Sequence, residues 1–299
     1  MPGYNKPLYI LAFDHRSFFA KNLFKKTGEL SDDERAVITD FKQIIYQGFL
    51  RGLELGVPED GAAILVDEEF GLEIHEDAEK RGLINILTTE KSGQEVFDFQ
   101  YGDDFDKHIE AIKPVFAKAL VRYRPDGDAD ANRLQLERLK ILSDWCHANA
   151  RGFLIEPLVL PSEDEKQSIG QDAFDRDIRP ALTVEMIRQF QDAGVEPDIW
   201  KIEGMDRAES YQAVVEQARA DGRDEVSCVV LGRAEDGAKV DAWLRAAIGV
   251  EGMVGFAIGR TIFWDALQYY YQGKAKREEA VEAIAQNYMH FYEVFTEQA

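Results

Sequence analysis

Short apolar runs alternate with longer amphipathic stretches along the chain. The runs cover 8–13, 62–66, 83–87, 115–121, 152–158, 198–202, 227–231 and 252–258. Most lack polar/apolar alternation, as parallel strands covered on both faces do. The stretches between them carry helix signals. Ser31-Asp32-Asp33-Glu34 is a capping box that opens a helix towards Leu55-Gly56. Further helices are expected over 104–112, 132–150, 183–193, 207–221, 237–248, 261–272 and 277–296, the first stopped by Pro114 and most others by glycine. Eight strand–helix repeats predict an α/β fold, a closed (β/α)₈ TIM barrel with an additional C-terminal helix. An open doubly wound sheet is the competing pattern. Against it, the first strand leads into Phe13-Asp14-His15-Arg16-Ser17 rather than a glycine-rich dinucleotide turn. No Pro-, Gly- or Ser-rich linker interrupts the pattern, so residues 1–299 are expected to form one domain. Segments 122–130 and 161–172 read as loops that follow strands, on the side of a barrel where chemistry collects.

Composition narrows the partners. Apolar residues at 45% suffice for one large core, and charged residues at 30%, in no long single-sign run, argue against disorder. A formal charge of −21 repels polyanions, so nucleic acid and anionic membranes are set aside as partners. A phosphorylated ligand then needs a strictly local cationic pocket. No apolar stretch reaches about 18 residues, and Met-Pro-Gly-Tyr-Asn-Lys at the start lacks a hydrophobic signal region, so a cytoplasmic soluble protein is expected. Cys146 and Cys228, the only cysteines, are expected to be small buried hydrophobes.

Three runs hold a charge inside them. Lys118 sits in Val-Phe-Ala-Lys-Ala-Leu-Val, Glu156 in Phe-Leu-Ile-Glu-Pro-Leu-Val and Lys201 in Ile-Trp-Lys-Ile. A period of two puts Ile199, Lys201 and Glu203 on one face of their strand, and Phe116, Lys118, Leu120 and Arg122 on one face of theirs. An ammonium loses much of its hydration on burial, so Lys201 needs a reason to be there. It is either an ion-pair partner of Glu203 or an amine poised to attack a carbonyl. A purely structural ion network competes with the functional reading. Function is favoured because apolar residues in such places are often neutral or stabilising.

The chemistry that fits these groups is carbonyl activation. A lysine that forms a Schiff base with a ketone creates an electron sink for breaking the adjacent C–C bond. The attacking amine must be neutral, and a neighbouring ammonium lowers an amine's pKa from ~10.4 towards ~7–8. Lys118 is suited to that role, Glu156 to carrying protons during carbinolamine dehydration, and Asp14 to accepting the proton of the hydroxyl that becomes an aldehyde. The last two strands both end in Gly-Arg, at Gly232-Arg233 and Gly259-Arg260. Glycine admits a phosphate close to backbone N–H groups, and a helix N-terminus with arginine completes a dianion site. His15, Arg16 and Arg122 are candidates for a second, carboxylate end of a ligand.

Four segments together carry a resemblance: Leu-Tyr-Ile-Leu-Ala-Phe-Asp-His-Arg at 8–16, Ile-Leu-Val-Asp-Glu-Glu-Phe-Gly at 64–71, Leu-Val-Arg-Tyr-Arg-Pro-Asp-Gly-Asp at 120–128 and Trp-Lys-Ile-Glu-Gly at 200–204. Nearly the whole chain resembles the barrel of tagatose-bisphosphate-type class I aldolases. It is similar to the C-terminal aldolase domain of bifunctional 5-dehydro-2-deoxygluconokinase/5-dehydro-2-deoxyphosphogluconate aldolase, whose other half is a sugar kinase of inositol catabolism. The resemblance implies a lyase of carbohydrate metabolism that needs neither metal nor cofactor. It implies Lys201 as the Schiff-base lysine, Lys118, Glu156 and Asp14 as its supporting ionisable residues and Arg260 as a phosphate ligand. The implied substrate is 5-dehydro-2-deoxy-D-gluconate 6-phosphate, cleaved to glycerone phosphate and malonate semialdehyde.

Three readings compete. One is the same chemistry on another ketose phosphate, tagatose 1,6-bisphosphate or a sulfonated sugar phosphate. Another is metal-dependent chemistry with Asp67, Glu68, Glu90 and His75 as ligands. It is disfavoured because the five histidines show no ligand spacing, and His75, His108 and His147 fall on helical stretches where surface positions are expected. The third is a non-catalytic barrel that binds a sugar phosphate. The aromatic positions Tyr269, Tyr270, Tyr271, Tyr288, Phe291, Tyr292 and Phe295 belong either to a contact between copies in a homo-oligomer or, preferably, to a terminal helix closing the barrel.

Overall fold

All eight apolar runs are strands in the computed structural model, which describes residues 3–233 and 235–297. They are β1 (Leu8–Ala12), β2 (Ala62–Val66), β3 (Ile84–Thr88), β4 (Phe116–Arg122), β5 (Gly152–Leu158), β6 (Ile199–Glu203), β7 (Ser227–Leu231) and β8 (Met253–Ile258). Every neighbouring pair is parallel, and β8 returns to β1 in the register Leu8↔Gly255 to Leu11↔Ile258, which closes the barrel. Closure removes the sheet edges that an open sheet would leave unpaired.

Twelve α-helices are present among the described residues: α1 (Ser17–Phe24), α2 (Asp32–Leu55), α3 (Glu68–Arg81), α4 (Phe105–Ile112), α5 (Ala129–Ala148), α6 (Glu163–Ser168), α7 (Gln171–Asp177), α8 (Arg179–Asp192), α9 (Ala208–Ala218), α10 (Gly237–Ala247), α11 (Arg260–Tyr271) and α12 (Arg277–Thr296). The Ser31 capping box is formed, its hydroxyl accepting from the Glu34 N–H and the Glu34 side chain from the Ser31 N–H. Segment 161–172, expected to be a loop, instead contains α6 and the start of α7. The reason is a second capping box, Ser162 with Glu165, in the same Ser-x-x-Glu spacing as the first.

Strand periodicity builds two cores. The barrel interior is filled by Leu8, Ile10, Leu65, Phe116, Leu154, Ile199, Val229 and their neighbours. Alternate residues such as Leu11, Trp200 and Ile202 face outward into the layer beneath the helices. Both cysteines lie in that outer layer, as expected, and burial pushes their thiols up to about 12. The apolar filling stops near the C-terminal ends of the strands, where inward positions become charged.

Helix α12 packs along α2 and α11. Tyr288 donates its hydroxyl to the Tyr9 carbonyl at 2.6 Å, and Tyr292 and Phe295 meet the Tyr9 ring. The close approach needs Gly48 on α2, where a Cβ would lie 2.4 Å from Ile284. The expected terminal helix that closes the barrel is thus present, while Tyr269 and Tyr271 face outward. Among the described residues no helix is long and apolar enough to cross a membrane.

Candidate active site

The charged inward positions converge at the C-terminal mouth of the barrel around a cavity of about 260 Å³. Asp14, Glu156, Lys201, Gly259 and Arg260 line it, with Arg16 and Arg122 on the side of the β3–α4 connection. Lys118 lies beneath this surface, fully buried. Its ammonium meets Asp14 Oδ2 at 2.8 Å, Glu90 Oε1 at 2.7 Å and Glu156 Oε2 at 3.0 Å.

Lys201 is inward-facing on β6, two residues after the barrel-filling Ile199. Its Nζ lies 2.9 Å from Glu156 Oε2, the oxygen that also serves Lys118. The ion pair with Glu203, which competed with the nucleophile reading, is not formed. Glu203 turns to Arg179 at 3.2 Å and Arg233 at 3.0 Å, and its other oxygen accepts the Val159 N–H. Lys201 therefore shares an acid with Lys118 and faces open space.

Electrostatics separate these groups by who wins, burial or charge. Burial pushes the Asp14 and Glu156 carboxyls up, but the Lys118 and Lys201 ammoniums outweigh it and hold both below the usual carboxylate range. Burial likewise opposes a charge on Lys118, yet Asp14, Glu156 and Glu90 raise it well above an ordinary lysine. His15 is the reverse case. Burial takes its imidazole down to about 3, against the pull of Asp14 and with that of Arg260, so it is neutral and its Nδ1 has no partner among the described residues.

The expected anchor end lies at β8 and α11. Gly259 is the N-cap of α11, and a Cβ there would stand 2.2 Å from the Ala12 carbonyl oxygen, so only glycine fits. Arg260, at the first position of the helix, lies over the Phe18 ring at 4.9 Å and has no anionic partner among the described residues. An arginine with free donors beside an open helix N-terminus suits a phosphate. Gly232 closes β7 against Ile258.

The other arginines of the mouth are already engaged. Arg233 also lines the cavity, but its guanidinium bridges Asp175 at 2.9 Å and Glu203, and Arg179 joins the same buried cluster. Arg16 donates to the Glu90 carbonyl at 2.6 Å and to Gln100 Oε1 at 3.1 Å. Arg122 donates to the Gln94 carbonyl. Of the three cations considered for a second ligand end, two thus brace the β3–α4 connection, and His15 packs against Phe18 and Phe263 near the anchor.

Residues considered as metal ligands are not brought together. Asp67 pairs with Lys42, Glu68 with His108 and Glu90 with Lys118. No cluster of three or more His, Cys, Asp or Glu side chains arranged to hold a metal is present among the described residues. His75, expected at the surface, is instead buried against the Val66 carbonyl. His108 and His147 are half-buried partners of Glu68 and Asp198. The sequence did not single out the contact of Glu90 with Lys118, because a charge three positions beyond the apolar run 83–87 looks like an ordinary strand exit. Its signal was the same period of two, since Ile86, Thr88 and Glu90 alternate inward.

Solved structures with the same fold include a fructose-bisphosphate aldolase from Plasmodium falciparum in complex with TRAP and a small-molecule inhibitor. It is 14% identical over 98% of this chain and 90% of that one, with a TM-score of 0.65. An archaeal fructose 1,6-bisphosphate aldolase is 12% identical over 97% of this chain and 94% of that one, with a TM-score of 0.59. A structure of an archaeal fructose-1,6-bisphosphate aldolase with its catalytic Lys covalently bound to the carbinolamine intermediate of the substrate gives the same identity and coverage and a TM-score of 0.60. At such identities these likenesses speak to the fold. No curated protein matches the chain. The match that spans it is to the family described as uncharacterized protein conserved in bacteria (DUF2090), over residues 3–299, and the chain belongs to that family.

Proposed function

We propose that the protein is a class I, Schiff-base aldolase that cleaves a ketose phosphate. The observation that carries the proposal is the placement of Lys201, an amine at a cavity wall whose one ion-pair partner among the described residues, Glu156, is shared with a second lysine. A structural lysine has no need of open space in front of it. Support comes also from the archaeal aldolase with a carbinolamine on its catalytic lysine, which shares this barrel.

The favoured substrate is 5-dehydro-2-deoxy-D-gluconate 6-phosphate, the one that the motif resemblance implies. Lys201 gives a proton to Glu156, and its free amine adds to the C5 ketone. Glu156 then protonates the carbinolamine oxygen, which leaves as water, and the iminium forms. Asp14, held ionised by Lys118, takes the C3 hydroxyl proton directly or through water. The C3–C4 bond breaks, its electron pair moves into the iminium to give an enamine, and malonate semialdehyde departs. Protonation of the enamine and hydrolysis release glycerone phosphate and restore Lys201. Arg260, Gly259 and Gly232 hold the phosphate throughout.

Sodium borohydride reduction in the presence of this substrate or glycerone phosphate, followed by peptide mass mapping, tests the proposal. A reduced adduct on Lys201 is expected. An adduct elsewhere, or none with any ketose phosphate, would remove the covalent step. Running tagatose 1,6-bisphosphate and a sulfonated sugar phosphate alongside ranks the substrates.

A further inference from the structure

Glu90 is the one acid of the Lys118 cluster without a role in the proposed chemistry. It leaves β3 on the inward side, is buried, and borders the cavity. Both carboxylate oxygens are engaged on β4: Oε1 takes the Lys118 ammonium at 2.7 Å, and Oε2 accepts the Leu120 N–H at 3.1 Å. Its carbonyl oxygen accepts Arg16, and an antiparallel bridge to Phe99 fixes its backbone. Few side chains in the site are so completely constrained.

An ammonium has three N–H bonds, and here Lys118 donates to Glu90 at 2.7 Å, to Asp14 at 2.8 Å and to Thr88 Oγ1 at 3.5 Å, with Glu156 Oε2 as an ion-pair partner at 3.0 Å. Lys118 therefore has nothing left to offer a ligand directly, and its direction is set by the three acids. Asp14 and Glu156 both border the cavity and have work to do there. Glu90 alone is anchored to the strand that carries Lys118, through Leu120. Without it, the Lys118 ammonium turns towards the two remaining acids and draws Glu156 away from Lys201.

We propose that Glu90 is a positioning residue, which holds Lys118 so that one oxygen of Glu156 is shared between Lys118 and Lys201. This rests on the Schiff-base reading and extends it. A glutamine cannot replace it, because Lys118 and the Leu120 N–H both need an acceptor. A carboxamide offers one oxygen and one NH₂ group, so one contact becomes donor against donor. An aspartate keeps the charge but is one methylene too short to reach both partners.

The test uses the full chain as Glu90→Gln and Glu90→Asp, with glycerone phosphate as the trapping probe and inorganic phosphate as the anchor probe. In Glu90→Gln, the rate of borohydride-trapped adduct formation on Lys201 should fall about 10- to 100-fold, the scale of a small misplacement of reacting groups. The dissociation constant for inorganic phosphate, by calorimetry, should stay within about two-fold, since Arg260 and Gly259 are untouched. Glu90→Asp should be intermediate in rate with native phosphate affinity. A native trapping rate in Glu90→Gln overturns the proposal. Where Glu90→Gln fails to fold, as thermal melting will show, a native rate in Glu90→Asp overturns it instead. If the unaltered protein gives no adduct on Lys201, the aldolase reading itself falls and this inference with it.

Discussion

Two clusters of buried charge touch the chain at successive residues after β1, Phe13 and Asp14, and they are built to opposite ends. In the helix layer, Lys42 of α2 meets Asp67, the N-cap of α3, and donates to the Phe13 carbonyl at 2.9 Å. Neither residue lines the barrel-mouth cavity, and burial wins on both: it pulls the Lys42 ammonium down and pushes the Asp67 carboxyl up, with their mutual attraction only partly offsetting it. In the barrel mouth, Lys118 meets three acids and shares one of them, Glu156, with Lys201, and charge wins over burial for Asp14, Glu156 and Lys118. A buried lysine by itself therefore says little about function. What distinguishes Lys201 is an acid shared between two lysines and a cavity in front of it.

The largest expected difference between the clusters is in chemistry. Lys201→Ala should lose turnover by at least about 10⁴-fold, the scale for removing a nucleophile that acts as part of a unit. Borohydride should then leave no sugar phosphate on the protein. Its stability should stay close to native, because Glu156 keeps Lys118 as a partner. A Lys201→Ala protein with residual turnover near the native rate would return Lys201 to the structural class of Lys42.

The contrast also marks how far the sequence was legible. Apolar runs and glycine stops located every strand, because a strand buried on both faces admits few polar residues. Lys118, Glu156 and Lys201 stood out as charges inside such runs, and the structure brings all three together with Asp14. Lys42 gave no such signal, since an amphipathic helix carries many lysines and its partner lies 25 positions away. The engagement of Arg233 with Asp175 and Glu203 was hidden for the same reason: α7 lies in the segment 161–172 and beyond, which lacks a long apolar period. Periodicity reports the face of an element. Long-range ion pairing is decided by which elements the fold makes neighbours.

Lys42→Met reverses the pattern expected of Lys201→Ala. It strands Asp67 in a dry layer, and chemical denaturation should show a loss of about 3–5 kcal/mol. Molecules that remain folded should still form the Lys201 adduct. Lys42→Met/Asp67→Asn should recover much of the loss, because an amide oxygen still caps the Phe70 N–H without a buried charge. A double variant no more stable than Lys42→Met would argue against an unpaired acid as the cause.

Arg260→Ala probes the proposed anchor, where this cation faces the cavity without an anionic partner among the described residues. A charge-assisted hydrogen bond contributes about 1.5–3 kcal/mol, so phosphate affinity should fall roughly 10- to 100-fold. Arg233→Ala should cost less affinity and more stability, since its guanidinium neutralises Asp175 and Glu203. Calorimetry with inorganic phosphate, paired with thermal melting, separates the two arginines. Equal affinity losses would place both on the phosphate.

The smallest effect is the most diagnostic of which force dominates each cluster. Asp14 has a folded pKa below its unfolded value near 3.9, so its stabilisation is present above about pH 4 and is lost as the pH falls. The stability difference between the native protein and Asp14→Asn should therefore widen as the pH rises towards about 4. Asp67 has a folded pKa above its unfolded value, so folding favours its protonated form and ionisation above about pH 4 weakens the fold. The native advantage over Asp67→Asn should accordingly shrink as the pH rises through that range. Each slope is bounded at about 1.4 kcal/mol per pH unit for one proton. Urea titrations from about pH 3 to 6 on the three proteins measure both, and subtracting the native curve cancels the many surface carboxylates common to all. Slopes of the same sign would mean that one balance of burial and charge governs both clusters, and the physical distinction between the structural lysine and the reactive one would be lost.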